Sequence, residues 1–152
     1  NLSELYEKTR KAGFGEEVKR RIILGTFVLS AGYKEAYYLS AQKARTALRK
    51  DFLSAFREVE LLLLPTSPVL PFRIGERIAD PLQMYLADIY TVAINPAGLP
   101  SASIPCGFVK VGKKELPVGF QLVAPHFKEE KIFQVASAYE KLHPEAFKRP
   151  KI

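Results

Sequence analysis

Apolar residues change their spacing several times along this chain, and each change predicts a different element. From Glu16 onward Val18, Ile22, Gly25 and Leu29 recur at steps of three and four, the mark of an α-helix with one apolar stripe. Glu16 and Glu17 follow the Gly13-Phe14-Gly15 turn and place negative charge in the first helical turn, where the helix dipole favours it. Gly32 ends or kinks this helix. A second, clearer helix carries Tyr37, Ala41, Ala44, Leu48, Phe52, Ala55 and Val59 on one face. Residues 61–64 are all leucine and stop at Pro65, which predicts a strand buried on both faces of a sheet covered by helices.

Proline divides the chain: all 11 lie at or after Pro65. The first part therefore reads as helix leading into a strand, and the rest as short elements with stiff connections. Beyond the Pro65-Thr66-Ser67-Pro68 loop, Asp80-Pro81 predicts an N-cap followed by proline at the first helical position. The helix it opens carries Leu82, Tyr85, Leu86, Ile89 and Val92 on one stripe. Residues 95–100 read as a loop, residues 101–109 and 118–123 as strands about a Gly112-Lys113-Lys114 turn, and residues 128–142 as an amphipathic helix on Ile132, Val135, Ala136 and Tyr139. Helices alternating with buried strands predict an α/β layered fold. No repeat, low-complexity tract or long linker interrupts it, so the whole chain reads as one domain or a portion of one.

Composition narrows the function classes. The chain has 152 residues, 47% hydrophobic and 26% charged, which is ordinary globular material. No apolar run approaches the ~20 residues that cross a bilayer, and the acidic, core-less N-terminus is neither a signal nor a transit peptide. Cys106 is the single cysteine, so no intrachain disulfide or multi-thiolate metal site forms, and a reducing compartment fits. The net charge of +7 is spread evenly, with only Lys148-Arg149-Pro150-Lys151 concentrated into a basic tail. That balance draws no nucleic-acid-binding stripe.

Catalytic signatures are missing. There is no Gly-x-Ser-x-Gly elbow and no Gly-rich phosphate loop. His126 and His143 lie beside prolines and read as surface loop residues, and Cys106 reads as a buried small residue. Two charged residues stand apart. Arg21 falls three after Val18 and four before Gly25, beside apolar neighbours, with open space over Gly25. Asp88 falls three after Tyr85 and four before Val92, at the margin of its stripe. Two readings stay open at this point. One is a half-buried structural ion pair between them. The other is a zwitterion clamp, in which a guanidinium grips a carboxylate bidentately and a carboxylate receives an ammonium.

The segment from Gly13 to Thr26 (GFGEEVKRRIILGT), then Leu29-Ser30-Ala31-Gly32-Tyr33 and Ala41-Gln42-Lys43, resembles the C-terminal part of the amidase-signature family. Asp80-Pro81-Leu82-Gln83-Met84-Tyr85-Leu86-Ala87-Asp88, Asn95-Pro96-Ala97-Gly98-Leu99-Pro100 and Pro117-Val118-Gly119-Phe120-Gln121 continue the likeness in the same order. Within the family the likeness runs to the A subunits of the glutamyl-tRNA(Gln)/aspartyl-tRNA(Asn) amidotransferases. The resemblance implies the C-terminal portion of the amidase-signature fold, a mixed β-sheet covered by helices. It also implies a glutaminase whose Ser-Ser-Lys catalytic set lies upstream, with no catalytic residue in this chain. By the same resemblance Arg21 binds the α-carboxylate of glutamine and Asp88 its α-ammonium. The expected partners are the rest of the A subunit, the B and C subunits, and charged tRNA reached mainly through B. ATP and Mg²⁺ belong to the B subunit, with no cofactor in this segment, in a cytoplasmic setting without a membrane. A piece of such a subunit, bared of its remainder, is expected to be insoluble alone or to depend on partners. Two rivals remain. An amidase-signature hydrolase of simple amides would need no paired clamp. A non-catalytic basic RNA-binding or scaffold module would need an aromatic platform, which is lacking.

Overall fold

The structure, a computed structural model, describes residues 1–30, 33–76 and 81–149. The helix end expected at Gly32, the N-cap expected at Asp80 and the last part of the basic tail lie outside the described residues. The chain falls into two compact units, Asn1–Ala44 and Arg45–Ile152.

In the first unit, α1 (Leu2–Gly13) is capped by Asn1, whose side-chain oxygen accepts from the Glu4 amide at 2.9 Å. Glu4 in its first turn and Arg10 and Lys11 in its last complement the dipole. Helix α2 (Glu16–Leu29) has Gly15 as its N-cap, so it begins where the Gly13-Phe14-Gly15 turn predicts. It stops at Ser30, whose hydroxyl donates to the Phe27 carbonyl at 2.7 Å and so takes up one of the orphaned helix-end acceptors. A π-helical segment, Lys34–Leu39, follows, with the Tyr33 ring 4.3 Å from that of Phe27. The predicted stripe of α2 is helical but uncovered: Val18 is 46% exposed and Ile22 44%. Periodicity set the helix; it did not bury a face.

Helix α3 (Ser40–Ala55) begins in the first unit and ends in the second. Phe52, in its last turns, and Phe56, just after its end, pack onto the second unit's sheet. That sheet is antiparallel, in the order β1 (Leu62–Pro65), β3 (Lys114–Val123), β2 (Ser101–Val111). Three short helices, α4 (Pro81–Ala87), α5 (Ile89–Val92) and α6 (Ile94–Ala97), lie between β1 and β2 in the chain, and α7 (Glu129–Leu142) follows β3. The α/β expectation holds, with helices on both faces of the sheet. On one face Leu62, Leu64 and Val123 pack against Phe52, Phe56 and the buried Ile94, Ala97 and Leu99. On the other, Ile104, Leu122 and Phe120 pack against α7 through Ile132, Ala136 and Tyr139. Tyr139 meets the Phe120 ring edge-on at 5.1 Å.

Four expectations are corrected here. The leucine run is not buried on both faces: β1 alternates, and Leu63 is 65% exposed, because an edge strand offers its second face to whatever covers it. The hairpin is longer than expected. Val111 pairs with Lys114 about a two-residue turn, Gly112-Lys113, and Gly112 takes φ +61°, a glycine-first arrangement suited to tight hairpins. Pro117 is tolerated in β3 because β1 pairs only with residues 120–123, leaving Pro117 without a strand partner on that side. Residues 95–100 are not all loop, since α6 is a helical turn that reaches Ala97. Gly98 ends it in the left-handed region (φ +70°), its amide reaching Asn95 O while the Leu99 amide reaches Ile94 O, a Schellman closure. Lastly, Cys106 is half-buried at a β-bulge between Pro105 and Gly107, not a fully buried core residue.

Candidate functional site

Arg21 lies one and a half turns into α2. Its Nε donates to Glu17 Oε1 at 2.9 Å, while Arg20 holds Glu17 Oε2 at 2.6 Å. One first-turn carboxylate thus steadies two adjacent guanidinium groups at i+3 and i+4 spacing. A Cβ built on Gly25, one turn beyond Arg21, would meet nothing within 4 Å, so the expected open space is there. The expected half-burial is not: the Arg21 side chain is 65% exposed. Its apolar flank in this chain consists of side chains on α2 that are themselves uncovered.

Asp88 sits where the helix expected over residues 82–92 breaks. It separates α4 from α5, at φ −100°, ψ 6°. Its carbonyl accepts from the Val92 amide at 2.8 Å and the Thr91 amide at 3.0 Å, starting the second helix. Its carboxylate makes no capping bond to that helix, and no hydrogen bond or ion pair to it is found among the described residues. Asp88 too is exposed, not half-buried at the edge of a continuous stripe. Arg21 belongs to the first unit and Asp88 to the second, and each is described within its own unit.

Two side chains that the sequence reading passed over hold the break. The Ser67 hydroxyl donates to Ala87 O at 3.0 Å and receives the Val69 amide at 3.4 Å. Gln121, only 2% exposed, donates its Nε2 to Tyr90 O at 3.0 Å and Pro65 O at 3.3 Å. The carbonyls immediately before and two residues after Asp88 are therefore tied to the β1 end and to the middle strand. The available signals were a hydroxyl between two prolines and one amide in an otherwise apolar strand. Beside Ser67, Thr66 and Ser103 share a hydroxyl–hydroxyl bond of 2.9 Å, next to Gly119, on a hollow of about 360 Å³. A Cβ on Gly119 would come within 3.1 Å of Ile104 O and 3.2 Å of Ser103 Oγ, so a larger residue would push into this wall.

The histidines divide. His143 is at the surface, bonded to Glu145 at 3.2 Å, as expected. His126 is not a plain surface residue: its Nε2 is buried, without a hydrogen-bond partner among the described residues. No three His, Cys, Asp or Glu side chains gather as a metal-ligand set among the described residues. No helix among them is long and apolar enough to cross a membrane.

This α/β arrangement is accompanied by a family match that sets the class: residues 1–133 match the Amidase family, and the chain belongs to it. Within that family it is 57% identical over 142 residues to the A subunit of the glutamyl-tRNA(Gln) amidotransferase of Persephonella marina, covering 93% of this chain and 28% of that protein. The corresponding A subunit from Nostoc punctiforme is 52% identical over all 152 residues, which make up 31% of its length. Among solved structures, the A subunit of the glutamyl-tRNA(Gln) amidotransferase of Thermotoga maritima superposes with a TM-score of 0.64 at 46% identity, over 92% of this chain and 30% of that one. The S177A allophanate hydrolase of Kluyveromyces lactis shares the fold alone, with a TM-score of 0.67 at 19% identity over 90% of this chain and 23% of that one. The chain spans under a third of the length of these relatives.

Proposed function

We propose that this chain is the C-terminal part of the glutamine-hydrolysing A subunit of a tRNA-dependent amidotransferase, and that it supplies the groups that recognise the amino-acid end of glutamine. The observation that carries this reading is identity above one half, over nearly the whole chain, to proteins named as the A subunit of glutamyl-tRNA(Gln) amidotransferase. Arg21 binds the α-carboxylate and Asp88 the α-ammonium. A free amino acid differs from a bare amide by those two charges, so a site that grips both selects glutamine and holds its side-chain amide at the nucleophile. The geometry supports the assignment in two ways. Glu17 pre-orients the Arg21 guanidinium, and the Asp88 carboxylate is not used up in capping α5.

The nucleophile and its proton-transfer partners, a Ser-Ser-Lys set, belong to the portion of the subunit that precedes this segment. The ammonia released passes to a B subunit, which uses ATP and Mg²⁺ to activate glutamate or aspartate on tRNA, and a C subunit packs around the glutaminase. The setting is the cytoplasm. This segment alone does not hydrolyse glutamine.

The test is made in the complete assembly. Arg21→Ala and Asp88→Asn each lower glutamine-dependent kcat/KM by an amount equivalent to about 2–5 kcal/mol, because the opposite charge of the substrate is left desolvated and unpaired. Transamidation with added ammonia survives in both. Loss of both activities together would show that the residues support the fold and not the substrate.

A further inference from the structure

The break at Asp88 has a physical origin that lies elsewhere in the fold. In an uninterrupted helix, Ala87 O would accept from the Thr91 amide. Here that amide turns to Asp88 O instead, so Ala87 O is orphaned. Ser67 supplies the missing donor. Tyr90 O, in the single turn of α5, receives its donor from Gln121, a nearly fully buried amide on the middle strand. Both anchors act on backbone, so their effect is to set where α4 ends and α5 begins. That choice fixes the direction in which the Asp88 side chain leaves the chain.

We propose that Ser67 and Gln121 are positioning residues for the Asp88 carboxylate, and so determine how well the site accepts the α-ammonium of its substrate. The inference rests on the reading of Asp88 as the ammonium site. Ser67 holds the residue before Asp88, and Gln121 holds the residue two beyond it and the Pro65 carbonyl from which the Ser67 loop departs. The two anchors thus form one bracket, joined through residues 65–67. Neither touches the substrate. Each works by removing freedom from the carboxylate before the ammonium arrives, which lowers the ordering cost of binding.

The experiment measures glutamine KM and kcat in the full-length protein within its assembly. Ser67→Ala raises KM about three- to tenfold, the size expected of one lost hydrogen bond, with kcat changed less than about twofold. Ser67→Thr keeps a hydroxyl and restores KM. Asp88→Asn raises KM on the order of a hundredfold. The double variant Ser67→Ala/Asp88→Asn is no worse than Asp88→Asn alone, because a bracket has no effect once the carboxylate it aims has gone. Gln121→Met, of similar length but without a donor, repeats this pattern and serves as the second probe.

Additive losses in the double variant, or loss of ammonia-dependent activity in Ser67→Ala, would assign Ser67 to general fold support and overturn the proposal. If Asp88→Asn raises KM while Ser67→Ala and Gln121→Met do not, the bracket alone is refuted. If Asp88→Asn leaves KM unchanged, the ammonium site itself falls and takes the bracket with it.

Discussion

Gly98 shows how much one backbone angle decides. Its φ of +70° closes α6, orients the buried Leu99 and starts the chain toward β2. An alanine there would place its Cβ 3.4 Å from His126 Cε1, an ordinary contact, so conformational strain and not crowding sets the cost. The left-handed conformation penalises a side chain by about 1–2 kcal/mol. Gly98→Ala in the full-length protein should therefore lower unfolding free energy by about that amount in a denaturant titration, and Gly98→Asn by less, since asparagine tolerates the region. Equal midpoints for all three would contradict this account. The sequence reads residues 95–100 as a loop. The helical turn that reaches Ala97 is hidden in it because a proline ordinarily interrupts a helix, although in the first turn it removes an amide that has no partner in any case.

At the scale of elements, the sequence showed period and sign better than it showed interruption. Leu82, Tyr85, Leu86, Ile89 and Val92 keep helical spacing straight through Asp88, so the pattern alone gives one helix. The donors that hold the carbonyls on either side of the break come from residues 67 and 121, which no local window contains. Strand β1 follows the same rule: four leucines announce a strand, but which faces are covered depends on α3, α7 and the sheet edge. Arg21 and Asp88 were both legible as charges at helical margins, while their exposure in this chain was not. Long-range polar ties between elements are equally hidden. Glu60, just before β1, takes the Lys131 ammonium of α7, and this bond and charge hold its carboxyl below the usual carboxylate range. A carboxyl whose pKa is depressed on folding stabilises the fold above its ordinary range and loses that contribution as pH falls through the depressed value. Glu60 is well exposed, so the tie is weakened by salt. Lys131→Met should return the Glu60 carboxyl to the ordinary range in an NMR pH titration, and an unchanged titration would mean that the pair does not form.

For the whole molecule, the decisive contrast is between the two units. The second has apolar residues buried on both sides of a sheet, down to Val123 at 0% exposure. In the first, no described residue of α1 or α2 is buried, and Ile23, Leu24 and Phe27 stand exposed together on α2 around an open apolar hollow. A contiguous exposed apolar patch is a contact surface or an aggregation hazard. The chain makes up 28% of one relative and 31% of another, so a full-length protein of that size has ample further chain to cover such a patch. The isolated 152-residue chain should then enhance the fluorescence of a hydrophobic dye several-fold more per mole than the full-length protein, and should self-associate in sedimentation at micromolar concentration. Leu24→Glu together with Phe27→Gln should reduce both signals in the isolated chain, since a charge and an amide break the apolar patch. The same pair of changes in the full-length protein should destabilise it if that surface is covered there. Equal dye binding by the two forms, with no cost of the double substitution in the longer one, would mean that the patch of Ile23, Leu24 and Phe27 on α2 faces water in both.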